Sequence, residues 1–184
     1  DLRRSSGLGD VYKRQILLII SLFLITNCSN NSDMKPEDFK GKEPKLIIEN
    51  YLSGNVKAWG VLQNRSGKVI RQFSADLNGK WDGTKLILDE KFNWDDGEIQ
   101  NRQWQITKID ENNYEGTAGD VVGRAKGYSY GPAFKFEYVL LVPVKGKEIK
   151  ITFDDWIFKQ DERVAVNLSL IHISVPTRPS QISY

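Results

Sequence analysis

Phe134, Phe136, Tyr138, Leu140 and Val142 form an alternating apolar series five members long. A period of two is the side-chain repeat of a strand with one buried face, and no helix satisfies it. Similar stretches recur on either side. Phe73, Ala75 and Leu77 alternate with Gln72, Ser74 and Asp76; Arg102, Trp104 and Ile106 alternate with Gln103, Gln105 and Thr107; Ile149, Ile151 and Phe153 share one face. Strands are also expected over Val56 to Gln63, Leu86 to Trp94, Tyr114 to Ala118 and Val121 to Tyr130.

Between these runs lie hairpin-sized turn signals: Asn64-Arg65-Ser66-Gly67-Lys68, Asp82-Gly83, Asp95-Asp96-Gly97, Glu111-Asn112-Asn113, Gly131-Pro132 and Lys145-Gly146-Lys147. Asn78-Gly79 is read as a further turn, leaving Lys80-Trp81 as a short segment. Links this short allow only antiparallel neighbours, so the chain is expected to be all-β, an antiparallel up-and-down meander. Closing on itself would remove its edges, giving a lipocalin-like (calycin-like) β-barrel. Helix is expected only around Pro36 to Phe39 or Leu46 to Leu52, and short.

Both ends read as foreign. Gly7 to Gln15 is the translation of one strand of a transposase-type sequencing-library adapter, and Leu168 to Ser174 is the translation of the other. Residues 1–15 and 168–184 are therefore read as adapter, and the final strands of the barrel as truncated. The sole histidine, His172, falls in that segment. Setting aside five basic and two acidic residues of these ends leaves 21 basic against 22 acidic, a net charge of −1. That balance gives no electrostatic basis for nucleic-acid binding.

The apolar run Ile16 to Ile25 is too short as a helix to cross a bilayer core of about 30 Å, and suits the apolar region of a signal peptide. Three residues after it comes the only cysteine, Cys28. Ile25-Thr26-Asn27-Cys28 resembles a lipobox, with Asn27 standing where a small residue is usual. Residues 16–27 are thus read as a lipoprotein signal peptide, Cys28 as the lipidation site and residues 28–44 as a polar tether. The barrel domain is expected over residues 45–167. The absence of Asp at position 29 resembles outer-membrane sorting, which places the protein at the periplasmic face of that membrane.

Chemistry-bearing constellations are few. Without a histidine outside the adapter, or a free cysteine, no Ser-His-Asp or Cys-His arrangement assembles, and no phosphate loop or zinc spacing occurs. No cofactor or metal is expected, and the chain is read as not an enzyme. Asp95-Asp96-Gly97-Glu98 reads as turn chemistry. Gly79-Lys80-Trp81 matches the short Gly-x-Trp signature of lipocalins but falls mid-meander, where it carries little information.

Five tryptophans lie in the domain, and two readings stand open. In the first, Trp59, Trp104, Tyr138 and Trp156 line a cavity for a small apolar or amphipathic ligand such as a lipid. Asp155, partnered by Arg71 or Arg102, then anchors its head group. In the second, the rings fill the barrel, and the protein is a non-catalytic structural or assembly factor of the envelope. An enzyme using Asp155 and an arginine is a third and weaker reading.

Lys57-Ala58-Trp59-Gly60, Arg71-Gln72-Phe73, Gly79-Lys80-Trp81-Asp82-Gly83, Leu88-Asp89-Glu90, Asp95-Asp96-Gly97-Glu98, Arg102-Gln103-Trp104, Asp120-Val121-Val122-Gly123 and Phe153-Asp154-Asp155-Trp156 stand in this order and spacing. In them the chain resembles an uncharacterised family of Gram-negative lipoproteins (domain of unknown function 3833) over nearly all of Lys45 to Asn167. The resemblance implies a lipoprotein and supplies no reaction.

Overall fold

The computed structural model describes residues 34–144 and 146–173. The apolar run, Cys28 and residues 1–15 and 174–184 lie outside them. Nine strands follow one another: β1 (Gly54–Gln63), β2 (Val69–Trp81), β3 (Lys85–Trp94), β4 (Ile99–Lys108), β5 (Asn113–Thr117), β6 (Ala125–Tyr130), β7 (Ala133–Val144), β8 (Lys147–Lys159) and β9 (Ala165–Ile173). Each pairs antiparallel with its sequence neighbours, so spatial order and chain order are identical. The all-β antiparallel meander is as expected. The sheet curls into a half-barrel, and no ladder joins β1 to β9 among the described residues.

The register carries the alternation from strand to strand. Leu77, Glu90 and Arg102 fall opposite one another across β2, β3 and β4, as do Gly79, Leu88 and Trp104. On the far side Phe136 faces Asp155 and Tyr138 faces Phe153. Leu86, Leu88, Trp104, Ile106, Tyr114, Phe134, Phe136, Tyr138 and Leu140 form the buried concave face. Small residues make room for the rings: a Cβ on Gly116 would stand 2.5 Å from Phe136 Cζ, and one on Gly127 would stand 2.9 Å from Phe134 Cζ. Side chains on the other face of the same strands are more exposed and mostly polar, with Ile87, Val139 and Leu141 as apolar exceptions.

One end of the half-barrel is closed by the chain before β1. A 3₁₀ turn (Pro36–Phe39) lies on the convex side, where Phe39 packs on Trp156 and Phe158 with ring centroids 6.0 and 5.5 Å away. The chain then passes beneath Gly131, whose Cβ would collide with the Phe39 carbonyl. It enters the concave side as α1 (Ile48–Tyr51), burying Leu46, Ile48 and Leu52 in the core. Leu46 N–H donates to the Gly131 carbonyl at 2.8 Å, and the Ser129 hydroxyl donates to the Leu46 carbonyl at 3.0 Å. The segment from Pro36, which falls within the residues read as a tether, thus packs on the sheet through Phe39.

Two strand expectations change. Asn78-Gly79 is not a turn but the interior of β2, and Gly79 is needed there because a Cβ would strike the Leu52 carbonyl. The run from Val121 is a loop up to Arg124, with only a bridge between Val121 and Leu140; Gly123 (φ +73°) turns the chain before β6 begins.

Candidate functional site

Across the middle of the concave face, ionisable groups interrupt the apolar surface. Glu90 occupies an inward position of β3, between Leu88 and Phe92, and is nearly buried, with 12 % of its side chain exposed. Arg102, opposite it on β4, approaches at 4.0 Å through Nη1. That guanidinium is already engaged: Nε donates to both carboxylate oxygens of Asp120 at 3.1 and 3.2 Å, and Nη2 donates to one at 2.8 Å. From β7, the Tyr138 hydroxyl donates to Asp155 Oδ2 at 2.7 Å, while Asp155 Oδ1 is buried without a hydrogen-bond partner.

Aromatic rings surround this cluster. Trp104 meets Phe136 and Tyr138 edge-on, with centroids 5.0 and 5.1 Å away, and Tyr138 stacks on Phe153 at 5.1 Å. Such an environment is poor in water and disfavours charge. Burial pushes the Glu90 carboxyl up to about 7, against the downward pulls of Arg102 and the Trp104 indole, with Asp155 and Asp120 adding to the rise. Burial likewise raises Asp155, although Ser169, opposite it on β9, then Tyr138 and Arg102 oppose the rise. The Tyr138 hydroxyl is raised by burial first and by Asp155 second, which keeps it a proton donor to that carboxylate. Three carboxyl groups around one guanidinium can hold a proton between them or accept a cationic group. They present no activated nucleophile.

The expected site residues separate into three places. Arg102, Trp104, Tyr138 and Asp155 do meet on the concave face. Trp59 does not join them: it lies on the convex face of β1, opposite Ser74, and is 74 % exposed. Trp156 is also on the convex side, facing Lys135 on β7, and is buried there by Phe39 and Phe158. Its neighbour Asp155 points the other way, because successive strand residues alternate. A cavity lined by all four rings is thus contradicted by the register.

Arg71 sits at the rim, stacked 4.0 Å over Trp94, and its Nη2 donates to Asp96 and Glu98 at 2.8 Å. It holds the β3–β4 turn rather than Asp155. The direct partner of Asp155 is Tyr138, a residue expected in the site but not in that role.

Two members of the cluster were not expected. Glu90 stands in the series Leu86, Leu88, Glu90, Phe92, so a carboxylate at an inward position was visible in the pattern. Asp120 lies in an irregular loop between glycines, where periodicity gives no direction.

A second polar feature lies on the convex face, where a shallow depression of about 400 Å³ crosses β1 to β4.

One family model matches the chain, over residues 22–173, and its description is Protein of unknown function (DUF3833). No curated protein and no solved structure matches.

Proposed function

The chain belongs to that family, and on this premise we propose that it is a lipid-anchored envelope protein whose half-barrel works through its outer surfaces. Cys28 carries the anchor, and the domain stands at the periplasmic face of the outer membrane. No described helix is long and apolar enough to cross a membrane. The observation that carries the reading is the filling of the concave side. Trp104, Phe136, Tyr138 and Phe153 touch in an unbroken series, and α1 occupies one end. Rings packed in this way occupy the space an enclosed ligand would need.

We take the sheet as a lipocalin-like barrel left open between β1 and β9. The adapter reading of Leu168 to Ser174 is supported by the behaviour of β9, in which every residue except the first, Ala165, is exposed. The remaining strands each bury or half-bury at least one face.

A second reading, binding of a small amphipathic molecule on the concave face, is favoured by one observation: the buried Asp155 Oδ1, which faces Ser169 on β9, has no donor in hydrogen-bond geometry among the described residues. Native mass spectrometry of full-length protein purified from the envelope separates the two. The surface reading expects the bare polypeptide mass plus its anchor; a stoichiometric co-purified lipid would overturn it. Cys28→Ser is expected to release the protein from membranes, and unchanged retention would count against lipidation.

A further inference from the structure

The convex face of β1 to β4 is built from residue types that strands ordinarily avoid. Asn55, Asn78, Asp89 and Gln103 stand in one row across four strands, each directly opposite the next. Asn and Asp are depleted in strands because they gain little from a pleated surface and compete for backbone hydrogen bonds. A mixed amide and carboxylate ladder running across four strands is therefore a cost to the fold. The side chains are also organised. Asn78 Nδ2 donates to Asn55 Oδ1 at 2.7 Å, and Gln103 Nε2 donates to Asp89 Oδ1 at 2.7 Å. Each pair uses one donor and one acceptor, so further amide hydrogens and carbonyl or carboxylate lone pairs of the same groups stay in reserve.

The next row is Lys57, Asp76, Lys91 and Asn101, in which Lys57 Nζ lies 3.1 Å from Asp76. Over the two rows the charges cancel, two lysines against two aspartates. One row further, opposite Ser74 and outside the residues that line the depression, Trp59 presents its indole to solvent with 74 % of its surface exposed. At ordinary strand spacings the four strands and two rows make a strip about 14 Å by about 7 Å, with Trp59 about 7 Å beyond.

We propose that this strip binds a neutral oligosaccharide, with Trp59 stacked on a sugar ring and the amide rows bonding its hydroxyls. Sugars offer many hydroxyls, each both donor and acceptor, and an apolar ring face. Planar amides and carboxylates match the hydroxyls, and an exposed indole matches the ring face. The cancelled charge selects against nucleic acids and other polyanions, for which a basic surface would be required. The inference rests on the reading that the domain works through its outer surface, and it names the partner.

The test is titration of the full chain with chitotetraose and with maltotetraose, followed by tryptophan fluorescence and by NMR of the Asn and Gln side-chain amides. Saturable binding of at least one probe is expected, with a dissociation constant on the order of 1 mM or tighter. The amide signals of Asn78 and Gln103 should move. Trp59→Ala should weaken binding by about tenfold, equivalent to one step of 1.4 kcal/mol, and Trp59→Phe should restore part of it. Because Trp59 is exposed, neither variant threatens the fold. No saturation with either probe, equal binding by Trp59→Ala, or shifts confined to other surfaces would overturn the proposal. Failure here leaves the filled half-barrel standing, since that reading is decided separately by the lipid content of the purified protein.

Discussion

Glu90 should make the fold less stable as the medium turns alkaline. Its carboxyl is held at about 7 in the folded protein against an ordinary 4.5, chiefly by burial. Between those values the folded state binds the proton that the unfolded chain has released, so stability falls as pH rises. The contribution is fully present below about 4.5 and is lost by the time pH passes 7. At about 1.4 kcal/mol per pH unit, the interval sets an upper limit of about 3 kcal/mol. Asp155, raised by the same burial, acts in the same direction. Glu49, the buried acid held low, titrates below 4.5 and does not enter this window.

Glu90→Gln keeps the shape and cannot ionise, while Arg102 retains its contacts with Asp120. Urea denaturation at about pH 5 and about pH 8 measures both proteins. The wild type is expected to lose roughly 1–3 kcal/mol between them, and the variant to lose clearly less. A wild type equally stable at both pH values, or a variant with an unchanged slope, would refute the argument that burial dominates the Glu90 environment.

Five further substitutions probe the packing and one buried ion pair. Gly116→Ala places a methyl 2.5 Å from Phe136 Cζ and should cost about 1–3 kcal/mol, whereas Gly119→Ala, with no neighbour within 4 Å, should cost under about 0.5. Trp104→Ala should cost about 3–5 kcal/mol by denaturant titration, while Trp59→Ala changes stability by less than about 0.5. Glu49 is almost fully buried and accepts from Lys108 Nζ at 2.5 Å and the Tyr114 hydroxyl at 2.8 Å. Burial raises its pKa, but the Lys108 and Tyr114 hydrogen bonds outweigh this, so the stabilisation is present above about 4.5 and fades as pH falls. Lys108→Met should therefore cost about 3 kcal/mol near neutrality and less in acid.

Alternation made the strands legible wherever only one face was apolar. β7 reads directly, because Phe134, Phe136 and Tyr138 are large and their intervening neighbours Lys135 and Glu137 are charged. β1 does not, since Val56, Ala58 and Leu62 face inward while Trp59 and Val61 face out, so both registers look apolar. The separation of Asp155 from Trp156 was contained in the period of two; only a break in the strand would have joined them, and β8 has none at that point. What no local pattern reveals is why Gly79 sits inside a strand or why Trp156 is covered. Both depend on where the segment from Pro36 to Leu52 docks, and those contacts reach across tens of residues.

That docking also sets an order of assembly. Every strand pairs with a sequence neighbour, so each hairpin can form as soon as its second strand exists, with little entropy lost to loop closure. The segment before β1 is different. Leu46 bonds to Gly131, and the Tyr51 hydroxyl reaches the Arg163 carbonyl 112 residues away, at 3.4 Å. The first part of the domain to be synthesised is consequently the last that can take its place. Until β6, β7 and the loop after β8 have arrived, Leu46 has no Gly131 carbonyl and Tyr51 no Arg163 carbonyl to bond, and the floor of the half-barrel stands open.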